Sequence, residues 1–189
     1  MVERGEVERA VEAARSKAER IAFLGALLEK ATRNETIIVG GSAIEVLTSG
    51  QTSSLDIDIV TVRDEALRVV LAWGFRPSGR VFSREDWGIE IDLLGARFSG
   101  SRQRVRRIDT PYGAARVAGP EDLIVKRLAE LKHWPTTPTW RSDLVRQVSL
   151  LLAEYGGQLD EEYLASVARR DDVVDILDDF RRHVRSPRD

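Results

Sequence analysis

Asp56 and Asp58 stand two apart in LDIDIV at 55–60, and Glu90 and Asp92 stand two apart in IEIDLL at 89–94. Residues two apart in a strand project from one face. Carboxylates side by side repel unless cations lie between them, and hard oxygen donors on one face suit Mg²⁺. If the two segments are neighbouring strands, three carboxylates, those of Asp56, Asp58 and a third acid from Glu90 and Asp92, can meet at one point. That is a two-metal arrangement, one ion bridged to phosphates and the other activating an attacking hydroxyl. In this reading Leu55, Ile57 and Ile59 alternate with the acids and face the core.

Upstream, TIIV at 36–39 runs into Gly40-Gly41-Ser42, which opens a short helix. Small residues at a helix N-terminus leave backbone N–H groups aimed outward, and the helix dipole makes an anion site suited to phosphates. Gly40 and Gly41 permit close approach of the backbone, and the Ser42 hydroxyl adds a donor. Each part alone is ordinary. Gly-Gly-Ser is usually a turn, and an Asp-x-Asp is often the exposed face of an edge strand. Their order between predicted strands is the specific signal.

Composition removes most competing chemistry. The 189 residues include no Cys and two His, at His133 and His183. Disulfides, Cys-ligated zinc, iron–sulfur clusters and thiol nucleophiles are therefore excluded. No G-x-x-x-x-G-K-[ST] loop and no G-x-G-x-x-G occurs. With 42% hydrophobic and 32% charged residues the chain is expected to be globular and soluble. No segment approaches the ~20 apolar residues of a membrane span. The charged start MVERGEVERAVEAARSKAER is no secretory signal, so a cytoplasmic location is expected.

A scaffold must bring these groups together. Residues 3–32 read as one long helix with a stripe of Val7, Val11, Ala14, Ala18, Ile21, Leu24 and Leu28. The stripe packs on its own domain or, since a/d spacing runs from Val7 to Ile21, forms a dimer seam interrupted at Gly25. Strands are predicted at 36–39, 55–60, 80–83, 89–94, 104–108 and 114–117, with helices at 43–48 and 64–73. From Gly119 onward the texture is helical, with Pro120 at a first helical position and Asp160 and Asp171 as N-caps. The expected fold is α+β (mixed α/β), with a mixed sheet of four to six strands flanked by helices. The expected organisation is an N-terminal helix over 1–35, a core over 36–118 and a helical C-terminal third over 119–189.

In these residues the sequence resembles the nucleotidyltransferases of the DNA polymerase β superfamily. Their hallmark is a hydrophobic strand, a Gly-Ser or Gly-Gly pair opening a helix, a strand with Asp-x-Asp, and a third acid on a later strand. Here those are Gly41-Ser42, Asp56, Asp58 and Asp92, and the match covers about 36–94. The chain is further similar to AbiEii-type and related bacterial toxin–antitoxin nucleotidyltransferases. That similarity rests on Ser54-Leu55-Asp56-Ile57-Asp58, on Glu121 followed five residues later by Lys126, and on Asp143.

The resemblance implies transfer of a nucleoside monophosphate from an NTP such as ATP to an acceptor hydroxyl, with release of pyrophosphate. It implies Mg²⁺ (or Mn²⁺), two ions with the NTP, held by Asp56, Asp58 and Asp92. Asp92 would also help deprotonate the acceptor. Gly40, Gly41 and Ser42 would hold the phosphates, and Lys126 would meet them as a point charge. Asp143 would hold Lys126 or the base. For Lys126, a solvent lysine on an amphipathic helix is equally consistent.

Partners are less determined. The net charge of -2 offers no global attraction for nucleic acid. It is a cancellation, because Arg97, Arg102, Arg104, Arg106, Arg107 and Arg116 cluster after the third acid with only Asp109 opposing in sequence. That stretch suits an RNA or tRNA acceptor, or it is a solvated hairpin. His133, Trp134 and Trp140 either stack a base or pin helices together. A cognate antitoxin and a homo-oligomer are open. The alternative function is a nucleotidyltransferase-fold binding or toxin–antitoxin component with little turnover.

Overall fold

The structure is a computed structural model that describes residues 2–135 and 137–185. It divides into two compact units, Met1–Ala118 and Gly119–Asp189.

The first unit opens with α1 (Arg4–Ala13) and α2 (Lys17–Thr32). The expected single helix over 3–32 is broken at 14–16. Ser16 and Glu19 form a variant of the capping box. The Ser16 Oγ accepts from Glu19 N at 3.1 Å, while Arg15 N donates to the Glu19 carboxylate at 2.6 Å. These contacts satisfy N–H groups that a continuous helix would have bonded internally.

The strands are β1 (Ile37–Ile38), β2 (Ile57–Val60), β3 (Arg76–Ser78), β4 (Val81–Arg84), β5 (Ile89–Leu93), β6 (Arg106–Thr110) and β7 (Gly113–Val117). Helix α3 (Gly40–Leu47) follows β1, and α4 (Arg63–Ala72) follows β2. All seven strands form one mixed sheet in the order β3-β4-β5-β2-β1-β7-β6. Strands β2 and β5 run parallel, as do β1 and β7, and the other pairs are antiparallel. The strand beyond the expected range is β3, whose three residues are all exposed and include Pro77. It lacks the apolar alternation that marks a strand in sequence, and its edge position tolerates proline.

Consecutive residues Ile37 and Ile38 are both fully buried, so the central strand β1 is covered on both faces. Helix α2 lies against it with Ile21, Leu24, Leu27 and Leu28 at most 1% exposed. Each such side chain contributes roughly 2 kcal/mol. A Cβ on Gly25 would lie 2.7 Å from Ile38 Cδ1, so this glycine is what lets α2 approach the sheet. The apolar stripe is consumed within its own unit and is not a dimer seam.

Arg84 ties α1 to β4. Its guanidinium is almost fully buried and bonds Trp73 O, the Glu8 carboxylate and the Asp86 carboxylate, while stacking 3.4 Å from the Trp87 ring centroid.

The second unit holds α5 (Pro120–His133), α6 (Pro138–Tyr155), α7 (Glu161–Arg170) and α8 (Val174–Arg185). Pro120 starts α5, and the Asp160 side chain caps α7 by accepting from Tyr163 N. Glu121, buried on α5, accepts from Asp160 N at 3.0 Å and so joins the start of α7 to α5. Asp171, expected to cap the last helix, instead ends α7. Trp134 and Trp140 are 63% and 39% exposed, so they do not serve as internal pins.

Candidate active site

Parallel pairing of β2 with β5 sets Asp58 directly opposite Asp92. Asp56 precedes the strand in a bend, because the ladder begins only at Ile57. Ligand oxygens of Asp56, Asp58 and Asp92 all lie within 4.8 Å of one another. Leu55, expected to face the core, is 91% exposed for the same reason: it lies outside the pleat. Glu90, on β5 with Asp92, is not in the carboxylate group. A reading of these acids as a mere polar strand face requires Asp92 to lie apart from the pair, and it does not.

Gly40 explains how the helix start meets this cluster. Its φ is +64°, and a Cβ there would lie 2.1 Å from Asp58 Oδ2. Only glycine fits both the backbone conformation and the space. Gly40 and Gly41 begin α3, so the N-terminus of that helix abuts the Asp58 carboxylate. Ser42 is fully buried. Its hydroxyl donates to Val39 O at 2.9 Å and accepts from Asp58 N at 3.2 Å. As placed, that hydroxyl holds the turn to the Asp58 strand rather than facing outward.

A second brace holds Asp56. The buried Glu45 carboxylate on α3 accepts from Ser54 N at 2.7 Å and Ser54 Oγ at 2.8 Å. Lys17 Nζ stands 3.6 Å from Glu45 and donates to Ser54 O. Ser54 is thus gripped by its N–H, hydroxyl and carbonyl two residues before Asp56. Sequence reasoning passed over Glu45, although a single acid in the apolar helix AIEVLT is a usable sign.

Asp92 is 2% exposed. Its Oδ2 has no hydrogen-bond partner, although Arg80 Nε lies 2.8 Å away as an ion pair. An orphaned buried carboxylate oxygen among three converging acids fits a small hard dication such as Mg²⁺ or Mn²⁺. Arg80 was not singled out in the sequence, because a turn arginine carries no motif.

Lys126 and Asp143 belong to the second unit. Lys126 on α5 is exposed with Nζ 4.0 Å from Glu130, and Asp143 is exposed on α6. In the basic stretch, Arg102 pairs with Glu35 at 2.8 Å and Arg116 with Glu29 at 2.9 Å. The sequence showed only Asp109 opposing these arginines, whereas the fold brings acids from α2 and the loop after it.

No family model matches the chain, and no curated protein matches it in sequence. Solved structures match it in fold. One is an antigenic nucleotidyltransferase-like protein from Paracoccidioides brasiliensis, with a TM-score of 0.57 and 11% identity over 83% of this chain and 89% of that one. Another is the antibiotic-resistance factor ANT(2'')-Ia, with a TM-score of 0.55 and 14% identity over 89% of this chain and 100% of that one. The fold is nucleotidyltransferase-like. At these identities the likeness concerns architecture alone, and the AbiEii-type subfamily draws no support from it.

Proposed function

We propose that this chain is a metal-dependent nucleotidyltransferase that moves a nucleoside monophosphate from an NTP to an acceptor hydroxyl. The observation that carries this is the convergence of Asp56, Asp58 and Asp92 beside the Gly40-Gly41 helix start, in a nucleotidyltransferase-like fold. Asp56, Asp58 and Asp92 would hold two Mg²⁺ or Mn²⁺ ions, which supply neutralisation of phosphate charge and a more acidic acceptor hydroxyl.

The acceptor oxygen attacks the α-phosphorus and a new P–O bond forms. The bond from that phosphorus to the bridging oxygen breaks, and its electron pair leaves with pyrophosphate. The acceptor proton would pass to a carboxylate oxygen of Asp92. Gly40 and Gly41 let phosphate oxygens approach the backbone at the start of α3. The acceptor is proposed only as a hydroxyl, since the pairs at Arg102 and Arg116 reduce the charge available to an RNA backbone.

The test uses α-labelled NTPs, Mg²⁺ and three acceptor pools: total RNA, total protein and small hydroxylated metabolites. Label transfer is expected with wild type in one pool, falling about 10³-fold in Asp56→Ala, as loss of several kcal/mol of charge stabilisation implies. No transfer in any pool, or equal transfer by Asp56→Ala, overturns the reading.

A further inference from the structure

Arg80 occupies a two-residue turn with Gly79 between β3 and β4, at the edge of the sheet. Gly79 has φ +60°, while Arg80 has none of the positive-φ strain. This is the pattern of a tight hairpin turn with glycine first. The turn aims the Arg80 side chain back at Asp92, two strands in from the edge.

The pair is unusually lopsided. Arg80 is 78% exposed, whereas Asp92 is 2% exposed. Asp92 is buried beside two further carboxylates, so it needs a positive neighbour. Arg80 supplies that charge at 2.8 Å, but its N–H is not aligned to donate, and Asp92 Oδ2 remains without a hydrogen bond. The attraction is therefore Coulombic and undirected. Its cationic partner is solvated and free to swing on a long side chain.

We infer that Arg80 exchanges partners when the site loads, leaving Asp92 to the metal and closing on the phosphates of the nucleotide. This rests on the proposed nucleotidyltransferase reading. A dication and a guanidinium compete for the same Asp92 oxygen, so Arg80 opposes binding of the metal alone. Phosphates brought with the metal offer the displaced guanidinium two oxygens in the fork geometry it matches best. Metal and polyphosphate then bind with positive coupling, and by linkage each strengthens the other equally. The site takes up the metal–nucleotide complex in preference to the bare ion.

Mn²⁺ binding tests this with no need to know the nucleotide, read for the bare ion from the loss of its free-ion electron paramagnetic resonance signal and for the tripolyphosphate complex by isothermal titration calorimetry. Wild type, Arg80→Gln, Arg80→Lys and Asp58→Asn are titrated with Mn²⁺ alone and with its preformed complex with inorganic tripolyphosphate. Arg80 is exposed at a turn, and circular dichroism confirms that each variant is folded. Arg80→Gln is expected to bind bare Mn²⁺ about tenfold more tightly than wild type and the tripolyphosphate complex about tenfold more weakly. Arg80→Lys retains the charge and falls between. A residue that merely props the site would weaken both bindings together, and that result overturns the exchange. Unchanged affinities in Arg80→Gln overturn it as well, while a loss confined to Asp58→Asn leaves the carboxylate reading standing. No Mn²⁺ uptake by wild type in either form overturns the carboxylate reading and this inference with it.

Discussion

At the scale of single residues, Gly40 is the tightest constraint on the site. A methyl group there meets Asp58 Oδ2 at 2.1 Å, and the backbone sits at φ +64°. Gly40→Ala therefore displaces a carboxylate of the proposed metal site in addition to straining the backbone by about 1–2 kcal/mol. Gly50 is the control, with φ +83° and nothing within 4 Å of a built Cβ. Mn²⁺ affinity in Gly40→Ala is expected to fall about a hundredfold, while Gly50→Ala, with the backbone strain alone, lowers Tm and leaves Mn²⁺ affinity intact. Equal Mn²⁺ affinities in the two variants would show that Asp58 is not held by this contact.

The same element that buries the most apolar surface also positions the site. Helix α2 packs on β1 through Gly25 and Ile38, and β1 runs directly into Gly40. Its N-terminal Lys17 reaches Glu45 and Ser54, the brace ahead of Asp56. Gly25→Leu forces bulk into a space where a Cβ alone would stand 2.7 Å from Ile38 Cδ1. Overpacking of this kind costs about 1–3 kcal/mol. Urea unfolding is expected to show that loss as a lower midpoint with unchanged slope. A neutral Gly25→Leu would mean that the helix is not seated on β1 as described.

For the whole molecule, several carboxylates are paired so as to make stability depend on acid. A side-chain hydrogen bond from Arg84 holds Asp86 below the usual carboxylate range, and bonds from Arg4 and then Arg84 do the same for Glu8. In the second unit, Arg170 lowers Asp171 and Lys132 lowers Asp175 in the same way. A carboxyl whose folded pKa is depressed stabilises the fold above its unfolded pKa. That contribution disappears as pH falls through the folded value. Lys132, raised chiefly by its bond to Asp175, adds stability that is lost only in alkali. Tm is expected to be flat near neutrality and to fall below about pH 4. Arg84→Met leaves the Trp73 carbonyl without its donor, while Glu8 and Asp86 return to solvent. It is expected to cost about 1–3 kcal/mol at neutral pH and to make the acid limb shallower. An acid limb as steep as that of wild type would remove Arg84 as its source.

The sequence by itself marked the acids that converge and most of the elements. The acid spacing marked Asp56, Asp58 and the strand of Asp92, and with no thiols and two imidazoles the carboxylates are the main candidate metal donors. Pro120 and Asp160 announced their helix starts because proline geometry and side-chain capping act within a few residues. Only the tertiary structure decided that β2 and β5 are parallel neighbours, since strand order depends on contacts far apart in the chain. The same holds for the grip of Glu45 on Ser54, the pairing of Glu29 and Glu35 with arginines of the basic stretch, and the reach of Arg80 to Asp92. Those contacts join residues 9 to 87 positions apart, and periodicity carries no information at that range. Leu55 shows the limit most plainly. Alternation placed it inside, but strand pairing begins two residues later, and the backbone before it follows a side-chain brace.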